Sequence, residues 1–147
     1  MTVNPSIAVQ LITCTIGCVG FALLFHATGR SLLWNAVGAF LTWTIYLVAY
    51  HFRPSAFIAT AIAATFVATY AQIMARVCKL PATVFQTASV FPVVPGVHLY
   101  YMMYNLVMQQ PSEALLEFHA LLLGCLGIIL GFFVVEICNK YIVLARK

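Results

Sequence analysis

Charge is scarce in this chain. Of its 147 residues only 7% are Asp, Glu, Lys or Arg, against roughly a quarter in an ordinary soluble domain. The acidic residues are Glu113, Glu117 and Glu136 alone, and no acidic pair falls in the middle of an apolar segment. The seven basic residues form no stripe or patch, so nucleic acid is not an expected partner. Cysteine offers no framework either. Cys14, Cys18, Cys78, Cys125 and Cys138 are odd in number, contain no CxxC pair and lie mostly in apolar runs, where a free thiol behaves as a small hydrophobe. Cys14 and Cys18 share a helix face, the one spacing that would suit a metal, but no cluster of further ligands accompanies them. Phosphate loop, dinucleotide fingerprint and nucleophile elbow are all missing. Neither an enzyme nor a cofactor is therefore expected. Met1 to Ser6 lack the basic start of a signal peptide, so the first apolar run reads as a retained membrane helix.

What the chain has in quantity is apolar surface. It is 64% hydrophobic, with a mean hydropathy of +1.04, too much for a soluble core of this size to hide. Five apolar stretches separate, at about residues 7–27, 32–50, 55–75, 82–108 and 114–137. Each approaches the ~20 residues that cross a hydrocarbon core. Gly29-Arg30, "HFRP" at His51 to Pro54, "RVCKLP" and "QQPSE" divide them. The expected architecture is one all-α integral membrane domain over 1–147, a bundle of five transmembrane helices.

With five spans the basic residues sort by side. Arg30, Arg76, Lys79, Lys140, Arg146 and Lys147 fall on one side and Arg53 on the other. Positive loops stay cytoplasmic, which places the N-terminus outside and the C-terminus inside. Small residues recur at Ala56, Thr60, Ala64 and Ala68 in the third span and at Gly127 and Gly131 in the fifth, the spacing by which helices approach closely in lipid. Trp34, Trp43, Tyr46 and Tyr50 read as interfacial belts or bundle packing. Glu113 and Glu117 suit the dipole at the start of the fifth span. Glu136 is one turn before Lys140, where an ion pair is expected. His26, His51 and His119 fall near span ends.

The fourth span is interrupted. "SVFPVVPGVHLYY", Ser89 to Tyr101, carries Pro92, Pro95 and Gly96 about halfway along an otherwise apolar run. Each proline lacks an N–H, freeing the carbonyls of Ala88 and Phe91, and Gly96 permits backbone angles that other residues resist. Unpaired backbone groups facing lipid cost several kcal/mol each, so the break must be buried in protein or face a wet cavity. One reading is a kink satisfied by neighbouring helices. The other is a discontinuous helix whose second half, starting near Val97, aims the free N–H groups of Val97 and His98 at a carboxylate. His98, Tyr101 and Asn105 share a face after the break, and Gln86 and Ser89 lie three apart before it. Such intramembrane polar groups are candidates for lining a substrate cavity. His98 is either a proton carrier or a neutral hydrogen-bonding group.

"PATVFQTASVFPVVPGVHLYY" resembles the proline-glycine segment of the threonine/serine exporter family at Pro81, Pro92, Pro95, Gly96 and Tyr100. "GFALLFHATGRSLLWNAVGAF" resembles the family's early segment at Gly20, Phe21, Phe25, Arg30, Leu32 and Gly38. The resemblance implies the small all-membrane subunit of a two-component exporter in the bacterial inner membrane. Its partner would be a larger subunit carrying a soluble domain, and a homo-oligomer is the other assembly left open. Substrates implied are threonine and serine, or succinate, which split pairs similar to this chain export. All carry a carboxylate, in keeping with the half-helix reading. The expected substrate site is then Ser89, Pro92, Pro95, Gly96, Val97, His98, Tyr100, Tyr101 and Asn105. Helix geometry selects Tyr101 and the resemblance selects Tyr100. A non-transporting assembly subunit and a passive channel are the rival readings.

Overall fold

The computed structural model describes residues 6–25, 27 and 29–145. Met1 to Pro5, His26, Arg146 and Lys147, which entered the readings above, lie outside the described residues. The elements are α1 (Ile7–Leu24), α2 (Arg30–Phe52), α3 (Ala56–Cys78), α4 (Ala82–Val90), α5 (Gly96–Val107) and α6 (Pro111–Ala145), with a 3-10 turn at Phe91–Val93 between α4 and α5. No strand occurs among the described residues. Helices α1, α2, α3 and α6 are long and apolar enough to cross a membrane. The fourth expected span is instead the short pair α4 and α5, separated where the prolines stand.

Two boundaries differ from expectation. Gly29 does not end the first helix, since α1 stops at Leu24 and Gly29 opens α2 with φ of +59°, a left-handed angle that glycine adopts without a Cβ clash. Helix α6 runs for 35 residues rather than over 114–137. Pro111 is tolerated in its first turn, where no intrahelical N–H bond is needed, and no glycine or proline follows Ile137 to stop it. At about 1.5 Å per residue it is about 52 Å long, longer than a bilayer core of ~30 Å.

Close approach between α3 and α6 rests on the small residues. A Cβ on Gly131 would come within 2.6 Å of Ala64 Cβ and 2.7 Å of the Ala61 carbonyl. One on Gly127 would come within 2.8 Å of the Phe57 carbonyl and 3.0 Å of Thr60. The GxxxG pair thus packs within the chain, against the small-residue stripe of α3. Gly38 does the same for α2, where a Cβ would overlap Ser89 Oγ of α4 and Tyr70 Cε1 of α3. Tyr70 donates its hydroxyl proton to the Trp34 carbonyl at 2.6 Å, and the fully buried Phe85 and Val67 fill the interior.

Helix α4 packs against α1, α2 and α3, whereas α5 lies against α6 and no other helix to a comparable extent. Arg30 lines a cavity with Cys78 and Leu80, and Arg76 donates to Asn139 Oδ1 of α6 at 3.2 Å. Arg30, Arg76, Lys79 and Lys140 therefore gather at one end of the bundle, with Arg53 at the other. The expected pair of Glu136 with Lys140 does not form among the described residues. Both are exposed, and holding two long solvated side chains together there gains almost nothing.

Candidate functional site

The backbone turns at Val94 (φ −64°, ψ 125°) and Pro95 (φ −77°, ψ 51°). Val94 N–H donates to the Phe91 carbonyl at 3.3 Å, Gly96 N–H to Val94 at 2.7 Å and Leu99 N–H to Pro95 at 3.4 Å. The amides of Val97 and His98 reach no backbone carbonyl. They open α5, where the helix dipole is positive. Gly96 does not serve as expected: its φ is not positive, and a Cβ there would meet nothing within 4 Å. The prolines and Val94 make the break, and glycine's extra freedom is not used in this conformation.

A cavity of ≈ 220 Å³ lies against the break. Pro92 to Pro95 form one wall, continued by Val97 and His98. Trp43 and Tyr46 of α2, Ala56 and Thr60 of α3, and Ala120 and Gly124 of α6 complete it. Gly124 makes room for the Pro95 ring, which lies 3.1 Å from where a Cβ would be. Trp43 and Tyr46 stack at 5.0 Å, and Trp43 Nε1 is buried without a hydrogen-bond partner. Beside the cavity, His98 Nδ1 and Glu117 Oε2 are 2.7 Å apart, with side chains 40% and 30% exposed. Glu117 thus does more than complement the start of α6, while Glu113 occupies the first turn as expected.

The expected site residues divide. Pro92, Pro95, Val97 and His98 line the cavity. Gly96 is in the same turn but contributes no wall. Ser89 is 0% exposed and outside the cavity lining, with its hydroxyl unpartnered. Tyr100, Tyr101 and Asn105 do not reach the cavity, and both tyrosines are largely exposed. Their stripe departs because α5 leaves the bundle to follow α6, so only its first turn faces the break. Trp43, Tyr46 and Glu117 were not singled out as site residues. In the sequence Trp43 and Tyr46 read only as interfacial belts or bundle packing.

A second, larger cavity of ≈ 540 Å³ lies at the cationic end, bounded by Arg30, Trp34, Leu80 and Val84 among others. Both cavities touch α2, the larger at Arg30, Ser31 and Trp34 and the smaller at Trp43 and Tyr46.

The family model described as Threonine/Serine exporter, ThrE, matches residues 10–138. The chain belongs to this exporter family. A search of curated proteins and a search of solved structures each found no match. The matched stretch holds both cavities, the break and the His98–Glu117 pair, so the family match covers the whole site. Among the described residues no group of three or more His, Cys, Asp or Glu side chains could hold a metal ion. His51 is exposed at the end of α2, and His119 Nδ1 is occupied by the Leu115 carbonyl at 2.8 Å.

Proposed function

We propose that this threonine/serine exporter family member moves small carboxylate-bearing metabolites through the cavity at the α4–α5 break. The carrying observation is the pair of unpartnered amides, Val97 and His98, at a positive helix end that opens on that cavity. Backbone N–H groups so placed suit a carboxylate without needing a basic side chain. The cavity equals about seven water molecules at ~30 Å³ each, the scale of threonine, serine or succinate.

In this reading α4 and α5 together make the fourth of five crossings of a bacterial inner membrane. The cationic end of the bundle faces the cytoplasm, so the Arg30 cavity is the entrance for export. The chain acts as the small subunit beside a larger one carrying a soluble domain. The bare flank of α5, with Val97 and Tyr100 each 65% exposed, supports a missing neighbour there, from that subunit or from a second copy.

An export assay in cells lacking the native pair tests the reading. The chain is expressed with and without its genomic neighbour, and labelled threonine, serine and succinate are followed. Saturable export by the pair, abolished when the proton gradient is collapsed, is the expected result. An assembled complex that moves none of the three makes the chain a non-transporting subunit. Non-saturating flux indifferent to the gradient makes it a passive channel, and full export by the chain alone removes the partner.

A further inference from the structure

Besides Trp43, two fully buried polar side chains have no partner. Asn35 of α2 and Ser89 of α4 are both 0% exposed, and neither Asn35 Oδ1 and Nδ2 nor Ser89 Oγ makes a hydrogen bond within the protein. An orphaned buried polar group is costly and calls for an explanation. Asn35 is one turn before Gly38 on the same helix face, and Gly38 is where the Ser89 hydroxyl presses on α2. The glycine thus brings α4 close enough for the two polar groups to share one small region. Phe85, one turn before Ser89 on the same face of α4, is fully buried as well.

The position of this pair along the bundle gives it a use. On α2 the cationic-end cavity touches Arg30 to Trp34 and the break cavity touches Trp43 and Tyr46. On α4 and its extension the same cavities touch Val84 and then Pro92 to Pro95. Asn35 and Ser89 fall between them on both helices. They form a polar septum, sealed in this conformation, between the level of one cavity and the level of the other.

We infer that Asn35 and Ser89 are the specificity-determining site of the path between the two cavities, and that they recognise a hydroxyl group on the substrate. The inference rests on the transport reading above and deepens it. No charged side chain is buried among the described residues. A bare ammonium or carboxylate held at the septum would therefore lack a countercharge, which is far more costly than burying a neutral group. A side-chain amide and a serine hydroxyl each both donate and accept. Their complement is a neutral group that does the same, which a hydroxyl is. A hydroxylated amino acid can turn its neutral hydroxyl to the septum as it crosses, whereas a dicarboxylate such as succinate has no such group to offer. Passage requires α4 to move away from α2; α4 ends at Val90, and the 3-10 turn and the bend at Val94 and Pro95 follow it.

The test compares threonine with 2-aminobutyrate, the same molecule without its hydroxyl, in cells expressing the full chain and its genomic neighbour. Wild type is expected to export threonine faster by on the order of 10-fold, the value of one or two neutral hydrogen bonds. Ser89→Ala and Asn35→Leu should bring that ratio close to one by slowing threonine far more than 2-aminobutyrate. Ser89→Ala removes one orphaned atom, so its melting temperature should hold or rise. This keeps the result readable if Asn35→Leu fails to accumulate. Equal export of threonine, 2-aminobutyrate and succinate by wild type overturns the hydroxyl site and leaves the transport reading standing. So does a ratio that survives Ser89→Ala. An assembled wild-type complex exporting nothing overturns both.

Discussion

His98 Nδ1 and Glu117 Oε2 stand 2.7 Å apart, tying the first turn of α5 to the second turn of α6. It is the one contact between a basic and an acidic side chain among the described residues. His98 also lines the cavity at the break, so the contact fixes how that ring is presented to whatever enters. At 40% and 30% exposure the pair adds little to stability, about 0.5 kcal/mol once solvent screening is allowed for. Glu117→Gln and His98→Gln should accordingly shift thermal unfolding only slightly. Each should slow export by about 10-fold or more, since small misplacements of a substrate-positioning group carry such penalties. The double variant should be no slower than the worse single one. Fully additive losses in a double-mutant cycle would show that the two residues act separately.

Gly131 is the tightest point of the α3–α6 contact. Its missing Cβ leaves room for Ala64 Cβ at 2.6 Å, the Ala61 carbonyl at 2.7 Å and the Thr65 amide at 2.8 Å. Two of those neighbours are backbone and cannot swing away. Gly131→Val should destabilise the purified protein by about 1–3 kcal/mol, the usual range for overpacking, and reduce its level in the membrane. Gly17→Ala and Gly20→Ala, where a Cβ meets nothing within 4 Å, should melt at or slightly above wild type. Equal melting of Gly131→Val and wild type would mean the two helices do not approach this closely.

Gly96 separates folding from ligand approach. Its backbone angle suits any residue, and an added methyl has free space. Gly96→Ala should therefore leave the melting temperature unchanged or raise it, by up to about 1 kcal/mol in stability. It should nonetheless slow export about 10-fold if a carboxylate comes in against the neighbouring amides of Val97 and His98. Unchanged export, measured on protein that melts normally, would remove the substrate from that helix start.

The helices were legible because each apolar run is long and flanked by Gly29, Pro54, Pro81 or Pro111. The interruption was legible because Pro92 and Pro95 have no N–H to give. The stripe of His98, Tyr101 and Asn105 misled. Helical spacing shows that residues share a face but not which neighbour that face meets, and α5 turns to α6 after its first turn. The His98–Glu117 contact depends on hairpin register across "QQPSE", which no local pattern encodes. The overrun of α6 past Ile137 reflects the lack of a breaker there, which an apolar run marks poorly once Lys140 enters. Asn35 attracted no notice because a single amide in an apolar run has no periodicity, and only its burial beside Ser89 gives it meaning.

The halves of the interrupted span are held by different neighbours: α4 by α1, α2 and α3, and α5 by the early part of α6. Helix α6 is in turn clamped to α3 at Gly127 and Gly131, so α5 is tied to the bundle chiefly through that helix and the turn at Val94 and Pro95. The break is thus a joint with one arm embedded and one arm outboard. A swing of α5 about Val94 and Pro95 changes the volume of the cavity beside it and leaves the α3–α6 clamp intact.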